Sequence, residues 1–357
     1  MTGTRRRPVL AVAIGLAAVL AACASDDDGT PSAAPTTTPA TSAATSPATS
    51  PIETSAATEP TATEPPATEP PATEPVDDAP ATTGGADAST AEVGTSERPA
   101  TLFVPPGYDP DVPAPLLVLL HGYTSNGEEQ DAYFRVRAEA EERGYLYLHP
   151  DGTVDAIGNP FWNATDACCD FVPSGVDDSG YLAGLIEEVQ AGWSVDPGRV
   201  YVVGHSNGGF MSYRMACDHA DLVAAIVSLA GATFDDPSAC TPSRPVSVAQ
   251  VHGTSDQVVA YEGGHLYGDP TFPSAPDTVA TWAGYDGCGE WTLAADGGTL
   301  DLDVGLLGAE TSVATAVGCP AGVGVELWTI DGGSHIPALG PDFLPAVFDF
   351  LEAHARP

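Results

Sequence analysis

The chain's five Trp, 11 Tyr and ten Phe all lie at or after Phe103, so the first 102 of its 357 residues carry no aromatic side chain. Folding must offset roughly 1–2 kcal/mol of backbone entropy per residue, and large apolar side chains supply most of what does so. A stretch built from Ala, Thr, Pro and Glu cannot bury enough surface. The folded part is therefore expected at residues 96–357, the usual size of one α/β domain.

The aromatic-free part divides in two. Arg5, Arg6 and Arg7 precede an apolar run from Val9 to Ala22, which ends in Leu20-Ala21-Ala22-Cys23. A basic head on so short a run makes a secretory signal, because fewer than about 18 apolar residues cannot span a bilayer as a helix. The Leu-Ala-Ala-Cys ending resembles the bacterial lipoprotein signal, which implies removal of residues 1–22 and lipid on Cys23. An ordinary cleaved signal is the alternative. The expected location is the outer face of a cell-envelope membrane, reached by export and held only through that lipid. Residues 23–95 read as a disordered linker in which Ala-Thr-Glu-Pro recurs at 57–60, 62–65, 67–70 and 72–75. Such Pro-rich runs favour polyproline II, and at about 3.1 Å per residue the linker reaches on the order of 200 Å.

Charge narrows the partners. The chain has 49 acidic residues, 11 Arg and no Lys, a formal net charge of −38. After residue 98 there remain 36 acids against seven Arg, so the folded part itself is strongly acidic. That surface repels nucleic acid and anionic headgroups, which excludes both as partners. Beyond Cys23, six cysteines remain: Cys168, Cys169, Cys217, Cys240, Cys288 and Cys319. An even number in an exported domain reads as three disulfides, and six cysteines allow 15 pairings. The pairing expected is Cys288 with Cys319, and Cys168 and Cys169 with Cys217 and Cys240, since a bridge between adjacent cysteines strains the peptide between them. No Cys-x-x-Cys pair or His cluster argues for zinc. Asp166, Asp170, Asp177 and Asp178 are read as chance clustering in an acid-rich chain, and neither metal nor cofactor is expected.

Strand and helix signals alternate through the folded part. Pro115 to Leu120 is a continuous apolar run, as in a strand buried on both faces. A Glu- and Ala-rich helix is expected from Glu128 to Arg143, stopped by Gly144. Tyr145–His149, Arg199–Val203, Ala224–Ala230, Pro245–Val251 and Val325–Ile330 read as strands. Helices are expected after the Asp177-Asp178-Ser179 cap to about Trp193, over 207–219, from Asp277 to Tyr285, and from Phe343 to His354. This alternation predicts an α/β domain with a doubly wound, mostly parallel sheet, whose functional groups gather beyond the strands' carboxyl ends.

One turn of that sheet carries chemistry. Gly204-His205-Ser206-Asn207-Gly208 follows a β-branched strand and opens a helix, the G-x-S-x-G elbow in the context it requires and the mark of the α/β-hydrolase fold. A Gly-rich strand-to-helix turn is the bland reading. Such a turn aims the Ser206 hydroxyl at a helix N-terminus, where N–H groups favour developing negative charge. A serine hydroxyl needs a base, and the base needs an acid to orient it. In this fold they follow the serine in the order acid, then His. His335, in Asp331-Gly-Gly-Ser-His335 after a strand, is the expected base, with His265 and His354 as the other histidines downstream. Asp256, beyond the strand ending near Val251, is the expected acid, against Asp269, Asp277 and Asp286. His121 and His252 each precede a Gly at a strand end and read as structural. An oxyanion hole needs two donors, expected from the backbone N–H of Asn207 and of Tyr123, with Thr124 as alternate.

The motifs appear in a telling order: Leu120-His-Gly122, Pro150-Asp-Gly152, Trp162-Asn163 before Cys168-Cys169, Asp177-Asp178, Gly204-His-Ser-Asn-Gly-Gly209, His252-Gly-Thr254 with Asp256, and Gly332-Gly-Ser-His335. Together they resemble the polyhydroxybutyrate depolymerase and feruloyl or acetylxylan esterase-like group of α/β-hydrolases, over about residues 98–355. The resemblance implies hydrolysis of small or polymeric esters through an acyl-serine, without cofactor, by secreted enzymes. Related sequences usually carry a Trp soon after the histidine, where Ile336-Pro337 stands here. A serine peptidase on the same scaffold and a non-catalytic surface-binding module are the alternatives.

Overall fold

The computed structural model describes residues 88–289, 293–294 and 297–357. The signal segment, Cys23 and the linker up to residue 87 lie outside the described residues.

The strands are β1 (Ser89–Gly94), β2 (Pro99–Val104), β3 (Ala114–Leu120), β4 (Leu146–Leu148), β5 (Thr153–Val154), β6 (Pro160–Phe161), β7 (Val195–His205), β8 (Ala225–Leu229), β9 (Ser247–Gly253), β10 (Leu293–Ala294), β11 (Thr299–Leu300), β12 (Thr311–Ala316) and β13 (Val325–Ile330). The α-helices are α1 (Gly127–Phe134), α2 (Val136–Arg143), α3 (Asp178–Gly192), α4 (Asn207–Asp218), α5 (Ala275–Tyr285) and α6 (Phe343–Ala353). One sheet runs in the order β1-β2-β4-β3-β7-β8-β9-β13-β12-β10, with β11 also on β12. Its centre, β4-β3-β7-β8-β9-β13, is parallel throughout, and β1, β2 and β12 are antiparallel additions. This is the doubly wound α/β-hydrolase architecture that the alternation predicts.

Alternate residues of β3 show why the run from Leu116 to Leu120 is apolar without a break. Leu116, Val118 and Leu120 enter the core beneath α3, α4 and α5, while Leu117 and Leu119 enter the core with α1, α2 and α6. A strand covered on both faces has no solvent side on which to place polar residues.

Three expectations need correction. The folded region starts before residue 96, because β1 pairs with β2 from Ser89↔Val104 to Gly94↔Pro99. Only Val93 of β1 is fully buried, which is why no apolar pattern marks it. The helix expected over 128–143 is broken at Arg135, which sits at φ 62° between α1 and α2. Phe134 and Val136 are both buried in one core, and residues two apart cannot share a face of a continuous helix. Asp131 Oδ1 then accepts from Arg137 N–H at 2.9 Å and steadies the second segment. Finally, the helix expected from Asp277 starts at Ala275, because Ser274 caps it: Asp277 N–H donates to Ser274 Oγ at 3.0 Å, and Ser274 Oγ–H donates back to Asp277 Oδ2 at 2.6 Å.

Candidate active site

Ser206 joins β7 to α4 at φ 54° and ψ −119°, a region that a residue with a side chain occupies only when its surroundings force it. Ser206 N–H donates to Leu229 O at 2.8 Å, and Phe210 N–H donates to Ser206 O at 3.0 Å. Gly208 lies against β3, where an added Cβ would stand 2.1 Å from Leu120 O. Any larger residue would push α4 and the serine off the sheet. Ser206 itself is half-buried, with access to solvent.

Ser206 Oγ–H donates to His335 Nε2 at 2.9 Å, and His335 Nδ1–H donates to Asp256 Oδ2 at 2.8 Å. The three residues follow the carboxyl ends of β7, β13 and β9 respectively. The two loops behind the acid and the histidine are stapled together. Ser255 N–H donates to Gly333 O at 2.9 Å, and Gly332 N–H donates to Thr254 Oγ1 at 2.8 Å. A Cβ on Gly253 would meet Gly333 O at 2.2 Å, so this approach requires glycine.

The Asp256 carboxylate is fully buried. Its Oδ1 accepts from Val258 N–H at 2.8 Å and Val259 N–H at 2.9 Å. Burial pushes its pKa upward, but hydrogen bonds from His252 and His335, the charge of His335 and the Val258 N–H outweigh that and hold the acid below the ordinary carboxylate range. It is therefore ionised at every pH near neutrality.

Sequence reasoning passed over His205. Its ring is buried 5.1 Å from that of His335, and its Nε2–H donates to His335 O at 2.9 Å. Burial, and then the neighbouring His335, lower its pKa to about 4, so it stays neutral and acts as a fixed donor. Its place inside the Gly-x-Ser-x-Gly elbow is the signal that could have marked it.

Of the two candidates for the second oxyanion donor, Thr124 is removed, because its N–H donates to Pro160 O at 2.9 Å. Tyr123 N–H and Asn207 N–H donate to no described residue. The Asn207 side chain has a separate task. Its Oδ1 accepts from Trp162 N–H at 2.7 Å, and its Nδ2 donates to Trp162 O at 2.9 Å. Trp162 Nε1–H in turn donates to His121 O at 3.1 Å, one residue before Gly122. The irregular stretch from 150 to 176 thus clamps both sides of the serine. His121 is structural: its Nε2 accepts from Gly152 N–H at 2.8 Å.

The cysteines pair differently from expectation. Cys288–Cys319 is present, but Cys217 pairs with Cys240, their Cα atoms 5.6 Å apart, and Cys168 pairs with Cys169. The end of α4 meets the segment after Pro237 directly, which places Cys217 and Cys240 within bridging distance and leaves the adjacent pair to each other.

The rivals stand elsewhere. His265 and Asp269 lie exposed in a loop. His354 ends α6, half-buried, with Nδ1–H donating to Phe350 O at 2.7 Å. Asp277 belongs to the start of α5, and Asp286 ends that helix. Three of the four acids of the 166–178 stretch are occupied separately: Asp177 caps α3, Asp170 accepts from Ser174 and Gly175, and buried Asp178 pairs with Arg98 at 2.8 Å. Among the described residues, no group of three or more His, Cys, Asp or Glu is placed to hold a metal ion. A cleft of ≈ 540 Å³ opens onto Ser206 and His335, walled by Tyr123, Tyr133, Val258 and Ile336, with Glu129 at its edge.

Known proteins resemble this chain in sequence and in fold. The family model described as alpha/beta hydrolase fold matches residues 193–269, the segment that contains Ser206 and Asp256. Feruloyl esterase B of Piromyces equi is 31% identical over 254 residues, 67% of this chain and 43% of that protein. The putative esterase NocK of Nocardia uniformis subsp. tsuyamanensis is 27% identical over 238 residues, 62% of this chain and 64% of that one. The chain thus spans less than two thirds of the length of either relative. The acetyl xylan esterase from Aspergillus awamori superposes with a TM-score of 0.52 at 15% identity, over 74% of this chain and 99% of that one, which is a likeness of fold. In fold the chain is an α/β-hydrolase, and in sequence it is similar to esterases.

Proposed function

We propose that the protein is a serine hydrolase of carboxylic esters, and the observation that carries this is the unbroken Ser206–His335–Asp256 hydrogen-bond chain opening onto the cleft. His335 Nε2 takes the Ser206 proton as Oγ bonds to the ester carbonyl carbon. The carbonyl oxygen becomes an oxyanion facing Tyr123 N–H and Asn207 N–H. His335 then gives its proton to the departing alcohol as the C–O bond breaks, leaving an acyl-serine. Water, deprotonated by His335, repeats the sequence and releases the acid. Asp256 stays ionised and holds the imidazole with Nδ1–H toward itself.

The cleft is walled by Tyr123, Tyr133, Val258 and Ile336, an apolar and aromatic lining. With the likeness to a feruloyl esterase, this supports hydroxycinnamoyl or acetyl esters of plant polysaccharide as the substrate class, with polyhydroxyalkanoates as the other polymer to test. The purified protein is expected to hydrolyse a short-chain nitrophenyl ester, and Ser206→Ala to lower turnover by on the order of 10⁶-fold. Undiminished hydrolysis by Ser206→Ala would overturn the reading. Feruloylated xylan, acetylated xylan and polyhydroxybutyrate run side by side then separate the substrates, and a fluorogenic peptide panel separates ester from amide hydrolysis.

We infer further that it works outside the cytoplasm, anchored through Cys23. Three disulfides fit an oxidising compartment, and the Leu20-Ala21-Ala22-Cys23 ending supports the anchor. Cells fed labelled palmitate should label the wild type and not Cys23→Ser.

A further inference from the structure

Behind Asp256 runs a second, fully buried chain of polar side chains on β9. Gln250 and His252 sit two residues apart, so they project from the same face of the strand. Gln250 Nε2 donates to Gly231 O at 2.7 Å and to His252 Nδ1 at 3.0 Å, and Tyr213 O–H donates to Gln250 Oε1 at 2.8 Å. His252 Nε2 is 2.8 Å from Val259 O and 3.4 Å from Asp256 Oδ2.

The protons in this chain are dictated by its ends. Gly231 O can only accept, so the Gln250 amide must turn its NH₂ toward it. The second hydrogen of that NH₂ then points at His252 Nδ1, which must be the bare lone pair. His252 therefore carries its proton on Nε2, where the N–H faces Val259 O and Asp256 Oδ2. Val259 is also held from the other side, since its N–H donates to Asp256 Oδ1. The turn 256–259 is gripped between a carboxylate and an imidazole. Tyr213 lies on α4, the helix that begins after Ser206, so one end of the chain is fixed to that helix.

We propose that Gln250 and His252 are positioning residues of the reaction: Gln250 fixes the tautomer of His252, and His252 fixes the turn and the Oδ2 face that Asp256 presents to His335. The inference rests on the ester-hydrolase reading and deepens it. Every N–H that contacts Asp256 disperses its charge. Removing the one from His252 leaves more of that charge to the imidazolium of His335, which becomes easier to form. The acid limb of the kcat/KM profile should then move to higher pH. The titratable groups facing this cluster are His335, His205 and Tyr261, the last with its ring 5.7 Å from that of His252.

The test compares His252→Phe, His252→Gln and Gln250→Met with the wild type on a nitrophenyl ester, with kcat, KM and the pH profile measured for each. His252→Phe and Gln250→Met are expected to lose roughly tenfold in kcat, a part of the 10²–10⁴ that positioned acid–base catalysis supplies. KM should hold, the acid limb should rise, and His252→Gln, which keeps an N–H donor, should recover most of the loss. Wild-type kcat and limb in both His252→Phe and Gln250→Met, with hydrolysis still dependent on Ser206, overturns the proposal and leaves the ester-hydrolase reading intact. Absence of Ser206-dependent hydrolysis in the wild type overturns both. Should the variants not fold, nitrogen NMR of the wild type decides: the Nε2–H tautomer of His252 supports the proposal, and the Nδ1–H tautomer overturns it.

Discussion

The side-chain amide of Asn207 binds both backbone groups of Trp162, accepting its N–H at 2.7 Å and donating to its carbonyl at 2.9 Å. The residue after Ser206 is thus tied by its side chain to one loop, while its own N–H donates to no described residue. Asn207→Ala would leave the buried N–H of Trp162 without a partner, at about 1–3 kcal/mol, while its carbonyl keeps the N–H of Cys169 at 3.3 Å. Urea unfolding should show that loss. Because Trp162 also holds His121 O beside the Gly122-Tyr123 loop, kcat should fall while KM for a nitrophenyl ester holds. An unchanged unfolding midpoint would contradict this account of the loop.

Two buried groups act in opposite directions on stability below neutral pH. Burial raises Asp286 from 3.8 to about 7; Val246 N–H, 3.0 Å from its Oδ1, opposes this only in part. Between those values the folded state holds a proton that the unfolded state has released, so its contribution falls as pH rises through the window. Burial, then His335, lowers His205 from 6.5 to about 4. Its contribution falls as pH drops through that window, because only the unfolded state takes up the proton. Each is worth at most a few kcal/mol, and the two windows overlap. Asp286→Asn removes the first effect alone. It should be more stable than the wild type at pH 8 and lose stability more steeply from pH 6.5 to 4. Parallel melting curves across that range would refute the pairing.

The disulfides should differ sharply in what they contribute. Cys217–Cys240 and Cys288–Cys319 close separations of 23 and 31 residues, whereas Cys168–Cys169 closes 1. Constraint of the unfolded chain is worth about 3 kcal/mol for loops of the first two sizes and nothing for adjacent residues. Paired Cys→Ala variants, unfolded in guanidinium, should therefore show two large losses and a smaller one confined to local packing. Equal losses for all three would contradict the argument.

What was legible in the sequence was what close neighbours enforce. The elbow at Ser206 is one tight turn, and its glycines are required by close backbone contacts, Gly208 with Leu120 of β3 and Gly204 with Gly208 itself. Asp256 and His335 were legible because each follows a readable strand, β9 and β13, in the chain order acid then His. The features missed depend on partners far along the chain. Asp178 pairs with Arg98, 80 positions earlier, and Cys217 meets Cys240 only once the end of α4 is packed. The break at Arg135 follows from two buried side chains, Phe134 and Val136, that helix propensity ignores. β1 escaped notice because the sheet edge asks for one buried residue, Val93.

The central claim is that the Ser206 hydroxyl, activated by His335, is the atom that takes the acyl group. Treating the purified protein with a fluorophosphonate and mapping the adduct by mass spectrometry tests it most directly. The account predicts one adduct per chain on Ser206, ester hydrolysis lost in step with labelling, and no rapid labelling of His335→Ala. Labelling elsewhere, or ester hydrolysis that persists once Ser206 is fully modified, would contradict it.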